Sequence, residues 1–162
     1  SYMHYLFILF CVFCSTTVGL YAQENPSHLR AINFLYMNID TTLATEVTST
    51  ESLDLSEIME LQLRRGDIDL RTYIANEPDL NVPLIELSID TATRTSSGQF
   101  DLVLRLRDHI TIDRNREKTV ATVFEMLRTA RSDINEIDAM KAELRQLMAD
   151  FVSIFNQQNP KL

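Results

Sequence analysis

Tryptophan is absent from this chain, and glycine and histidine occur only three times each. Beyond Gly19 only Gly66 and Gly98 remain, which excludes a glycine-rich phosphate loop. Both cysteines, Cys11 and Cys14, sit in an apolar run near the start. The rest of the chain therefore has no disulfide framework, no thiol nucleophile and no thiolate metal ligand. Charge is missing from the same region, with no Asp, Glu, Lys or Arg before Glu24. Elsewhere acids outnumber bases, for a formal net charge of −8. Such a chain repels phosphate backbones, so nucleic acid is not an expected partner. Low-complexity tracts and internal repeats are lacking as well.

What occupies the charge-free start is FILFCVFCSTTVGLYAQEN, Phe7 to Asn25. An apolar core followed by small residues is the layout of a secretory signal peptide. A membrane span needs roughly 20 predominantly apolar residues, and Tyr5 to Tyr21 is shorter and diluted by hydroxyls. The expectation is a signal peptide over residues 1–22, cut after Gly19 or Ala22, with a retained N-terminal anchor as the alternative. Phe10 and Phe13 precede the cysteines, whereas a lipoprotein acceptor cysteine needs small residues there. Residues 23–162 then form a single exported domain, periplasmic or secreted. Its size lets it bury about two-thirds of its unfolded surface. Membrane contact is expected only through an uncleaved N-terminal segment.

Along that domain, Leu29 to Asp40 is rich in β-branched and aromatic residues and reads as a strand. A polar connector, Thr41 to Ser52, leads to LDLSEIMELQLRRG. There Asp54 and Glu57 have capping-box spacing, Leu53 and Ile58 suit a hydrophobic staple, and Gly66 ends the helix. Ile68 to Ile74 alternates as a second strand, so strand, helix and strand imply a parallel βαβ unit. Ile85, Leu87 and Ile89 share one face of a third strand. In the fourth, Phe100, Leu102, Leu104, Leu106, Ile110 and Ile112 oppose Asp101, Arg105, Arg107, His109 and Thr111. The connecting turn allows two registers, one setting Glu86 opposite Arg107 and the other Asp90 opposite Arg105. Lys118 to Arg128 gives a fifth strand with Val120, Thr122, Phe124 and Met126 on one face. Ile137, Met140, Leu144, Leu147, Met148, Phe151, Ile154 and Phe155 mark a helix over about Ser132 to Gln157. The fold class is α+β. A βαβ unit, an antiparallel three-strand meander and a long C-terminal helix make a two-layer sandwich, both helices on one face of a mixed five-stranded sheet.

With those elements placed, the chain resembles a family of small, uncharacterised, signal-peptide-bearing bacterial α+β proteins of the envelope. The likeness runs from Ser52 to the C-terminus. It rests on LQLRRGDI, PLIELSID, FDLVLRLRDHITIDRN, VATVF and LRQLMADFVSIFNQQNP. Two positions depart from the family pattern: its glycine falls where Asp67 stands, and its tryptophan where Phe124 stands. The resemblance implies a signal peptide and an α+β domain but no activity. A looser likeness, of layout alone, is to accessory domains of bacterial envelope machines.

Catalysis needs positioned acid, base, nucleophile or metal groups, and no such constellation is visible, so no enzymatic activity is expected. Past the leader the histidines are His28 and His109, and no serine lies in a nucleophile-elbow context. A zinc site from His28, His109 and carboxylates has no recognisable spacing. Carboxylate pairs such as Asp108 with Asp113, or Asp133 with Glu136, are common in an acidic chain. Neither a cofactor nor a metal is implied. The distinctive feature is a basic cluster, Arg105, Arg107, His109, Arg114, Arg116 and Lys118, in an otherwise acidic chain. It suits an acidic partner or anionic ligand; the plainer reading pairs these arginines with Glu86, Asp90 and Glu117. The leading functional expectation is a non-enzymatic binding or accessory domain of the bacterial envelope with a protein partner. The alternative is a carrier holding an apolar or anionic ligand beneath Met140, Leu144 and Met148.

Overall fold

A computed structural model describes residues 19–23 and 25–161, the first five as backbone. Residues 1–18, with Cys11, Cys14 and most of the expected leader, lie outside the described residues. The strands are β1 (Gly19–Gln23), β2 (Phe34–Leu43), β3 (Asp69–Leu70), β4 (Leu84–Asp90), β5 (Gln99–Thr111) and β6 (Lys118–Arg131). Two helices, α1 (Ser49–Arg65) and α2 (Glu136–Gln158), complete the fold, with a short 3-10 turn at Pro26–Leu29. The sheet order is β1-β6-β5-β4-β2-β3, antiparallel except at β4–β2 and β2–β3. The five expected strands are thus present in one mixed sheet, and β1 adds a sixth beside β6. That edge strand crosses the point where the leader was expected to end.

Both helices pack on one face. Between the layers lies one continuous core, including Leu35 from β2, Ile85, Leu87 and Ile89 from β4, and Leu102, Leu104 and Leu106 from β5. Leu55, Met59 and Leu63 of α1 and Met140, Leu144, Met148 and Phe151 of α2 close it from above. Period-two alternation below and a three-to-four spacing above place these side chains there. Phe124 is fully buried with its ring 6.2 Å from that of Phe151. Arg128, on the same inner face, reaches Glu143 of α2 and lies 3.9 Å from Asp150.

Helix α1 starts earlier than its spacing suggested. Thr48 accepts from the Glu51 backbone and Glu51 accepts from the Thr48 backbone, so the capping box is Thr48–Glu51. Turns at Ala44 and Val47 bring Thr48 to the cap. Asp54 bonds Lys141 of α2 instead (3.2 Å), and Leu53 is exposed rather than stapled. At the other end Ile68 N–H donates to the Leu63 carbonyl and Asp67 N–H to that of Arg64, a Schellman closure. Its left-handed residue is Asp67, at φ +57°.

The β4–β5 register is neither of the two expected. Glu86 faces Arg105 and Asp90 faces Asp101, while Leu87 and Ile89 still face Leu104 and Leu102. All of residues 91–98 loops out, because Thr91 and Ala92 donate to the Leu43 carbonyl and the Asp90 carboxylate binds Thr93.

Candidate functional site

The sheet face away from the helices carries Phe34 and Tyr36 of β2, Leu84 and Glu86 of β4, Arg105, Arg107 and His109 of β5, and Glu125 of β6. At the N-terminal end of β2 and β4 the segment after β3 leaves the edge and folds over this face. The expected second strand is therefore only two residues long. Arg71 N–H donates to the Leu35 carbonyl, and its guanidinium lies 3.9 Å from the centre of the Phe34 ring. Tyr73 meets Tyr36 edge to face at 5.3 Å. Asp79 then anchors the crossing: its N–H donates to the Tyr36 hydroxyl (3.0 Å) and its carboxylate pairs with Arg71 (3.1 Å).

A break in β6 completes the opposite wall. Leu106 pairs with Phe124, but Arg107 pairs with Thr122, so Val123 is an extra residue. Such a bulge inverts the alternation beyond it. Phe124 and Met126 point inward as expected. Val120 and Thr122 turn out beside His109 and Arg107, contrary to the sequence assignment of all four to one face. His28 Nδ1 lies 2.8 Å from the Val123 carbonyl oxygen, supporting the bulge from the 3-10 turn.

The result is a groove of about 330 Å³ lined by Tyr36, Tyr73, Leu80, Leu84, Arg107 and Val120 among others, with His109 and Asp79 at its rim. Tyr73, Leu80 and Val120 are 55%, 55% and 44% exposed, an open apolar strip beside Arg107 and His109. Neither side chain of Arg107 nor of His109 forms an ion pair among the described residues. Asp108, on the other face of the same strand, is pushed above the ordinary carboxylate range by burial, with the His109 N–H opposing that shift.

The structure separates the basic cluster. Arg107 and His109 line the groove. Arg105 instead pairs with Glu125 at 2.8 Å and contacts the Ser88 hydroxyl at 3.3 Å, bracing β4, β5 and β6. The expected partners Glu86 and Asp90 are engaged elsewhere, by Asn38 and Thr93. Arg114 and Arg116 stand exposed in the β5–β6 turn, with Arg116 3.6 Å from Asp113, and Lys118 opens β6. Glu117 binds Asn115 rather than an arginine. His28 and His109 are not brought together, and among the described residues no three His, Cys, Asp or Glu side chains converge on a metal position. Likewise, among the described residues no helix is long and apolar enough to cross a membrane.

A second opening, of about 270 Å³, lies at the opposite end of the sheet on the helix side. Glu46, Val47, Glu51, Glu136, Ile137 and Met140 line it, and Ile134 stands over it fully exposed. Glu46 is held below the ordinary carboxylate range by a hydrogen bond from the Thr91 side chain, against a smaller opposing effect of burial and with help from Arg94.

No protein-family model matches the chain, and no curated protein does. Among solved structures, the PelC dodecamer from Paraburkholderia phytofirmans aligns over 82% of this chain and 95% of its own at 13% identity, with a TM-score of 0.50. A point variant of that dodecamer aligns over the same shares at 14% identity and a TM-score of 0.49. A minor lipoprotein from Acinetobacter baumannii aligns over 76% of this chain and 90% of its own at 11% identity, with a TM-score of 0.30. Identity this low establishes a shared fold with PelC and nothing about activity.

Proposed function

We propose that this chain is an exported, non-enzymatic binding domain that acts as an accessory or assembly factor in the bacterial envelope. Its contact surface is the groove on the outer sheet face. The observation that carries this reading is the open apolar strip of Tyr73, Leu80 and Val120 beside Arg107 and His109. Aromatic side chains and arginine are the residues that dominate contact energy at protein interfaces. The polar groups already in the groove serve structure: Asp79 is committed to Arg71, and the Tyr36 hydroxyl to the Asp79 backbone. Sharing its fold with a protein that forms a dodecamer supports reading exposed surfaces of this domain as contact surfaces. The carrier alternative called for a cavity beneath Met140, Leu144 and Met148. Of these only Met140 touches an opening, the second one near Ile134, while Leu144 and Met148 are buried in the continuous core, which favours the binding domain.

The test is capture of the tagged protein from cross-linked envelope extract, comparing the native chain with Arg107→Glu and His109→Glu. A central interface arginine is worth about 2 kcal/mol, or roughly thirty-fold in affinity. A stoichiometric partner retained by the native chain and lost by Arg107→Glu is the expected result. Capture indifferent to both substitutions would exclude this groove, and a retained small molecule in place of a protein would revive the carrier.

A further inference from the structure

We infer that the partner seated in this groove is a second copy of the chain, which docks head to tail through its Ile134 corner. The inference rests on the groove being a docking surface. An apolar groove with an arginine in its wall calls for an apolar knob flanked by carboxylates, and this chain carries one. Ile134, in the turn between β6 and α2, is 100% exposed. Asp133, Glu136 and Asp138 flank it in sequence, and Glu46 and Glu51 lie across the adjoining cleft. Arg131 and Arg94 neutralise Asp133 and Glu136, at 2.9 and 3.0 Å. Glu46, Glu51 and Asp138 remain as the excess. Facing them in the next copy would stand Arg107 and His109, with Arg114 and Lys118 of the hairpin beyond.

The placement of the two surfaces sets the symmetry. The groove opens on the outer face at the end where β2 and β4 begin, whereas Ile134 lies on the helix side at the end where they finish. One copy therefore offers the two surfaces in opposite directions, to different neighbours. The contact is heterologous, and repetition closes a ring or extends a filament according to the rotation between copies. The net charge of −8 opposes association at long range. At about 0.15 M salt the Debye length is roughly 8 Å, so that repulsion is screened while pairs in contact persist.

Sedimentation velocity across a dilution series tests this with three proteins: the native chain, Ile134→Asp (knob removed) and Val120→Asp (groove removed). Both substituted positions are exposed, and an unchanged circular dichroism spectrum and melting temperature establish folding. The native chain should form species larger than a monomer that dissociate as salt rises to about 1 M. Each variant alone should be monomeric. Mixed in equal amounts, the intact groove of one and the intact knob of the other should give a one-to-one dimer that grows no further. A native chain that stays monomeric overturns the inference, as does either variant assembling alone or the mixture failing to pair. A monomeric native chain whose envelope partner is still lost on Arg107→Glu would sink self-assembly and leave the binding domain standing.

Discussion

Asp67 sits where a glycine would be least strained. At φ +57° it occupies the left-handed position of the α1 closure, and what it gains there is an exposed pair with Lys161 at 2.9 Å. Exposed pairs of this kind contribute between nothing and about 1 kcal/mol. Asp67→Gly should raise stability by about 0.5–1 kcal/mol, read as a higher denaturation midpoint at unchanged slope. The glycine one place earlier is kept by packing rather than by its backbone angle. A Cβ on Gly66 would lie 2.3 Å from Val152 Cγ1 of α2, so Gly66→Ala should cost about 1–3 kcal/mol. Asp108 gives a prediction that depends on pH. Its folded-state pKa is raised, chiefly by burial, so the charged form opposes folding at neutral pH. Its contribution becomes unfavourable as pH rises above the ordinary carboxylate value and stays so beyond the raised folded value. Asp108→Asn keeps the oxygen that accepts from the His109 N–H, and should stabilise the protein at pH 7. Thermal melts should show that gain vanish below the ordinary carboxylate range. A gain that persists into acid would mean burial of Asp108 is not its source.

Helix α2 is tied to the sheet by Arg128, whose side chain is 13% exposed between Glu143 and Asp150. Truncation would leave two partly buried carboxylates without their cation. Because both remain partly in contact with water, Arg128→Ala should cost about 1–3 kcal/mol rather than the full penalty of a buried pair. Arg128→Ala combined with Glu143→Ala in a double-mutant cycle measures their coupling, and coupling near zero would show that the helix is held by its apolar face alone. That face, like β4 and β5, was legible in the sequence, since half-buried elements must repeat with their own geometry. What was not legible came from contacts between elements. The second strand alternated well beyond Leu70, but Tyr36 and Phe34 draw Tyr73 and Arg71 across the sheet. The turn after Asp90 looked tight, but the Leu43 carbonyl holds its first residues on a different strand. Val120 shared a period with Phe124 in the sequence and lies on the other face in the fold.

At the scale of the molecule, the basic cluster read from composition resolves into parts with different work. Arg105 braces three strands, Arg107 and His109 face an opening, and Arg114, Arg116 and Lys118 sit at a hairpin tip. Sequence could point to Arg107 and His109, because charge alternates along β5. Tyr73, Leu80 and Val120 carried no such mark, for a groove wall is made when separate segments cross. The two openings lie at opposite ends of a sheet whose longest strands run 13 and 14 residues, some 40 Å at about 3.3 Å per residue. Between them the core is continuous, so neither surface is needed to complete it. Val123 has a further consequence for how such a surface arises. Gain of a single residue in β5 opposite Val123 would restore an unbroken ladder, turning Thr119, Ala121 and Asp108 outward in place of Val120, Thr122, Arg107 and His109. One wall of the groove would change character with no substitution in it. A lineage of this fold can thus gain or discard the surface by a one-residue indel, a change that column-by-column comparison of side chains is poorly suited to notice.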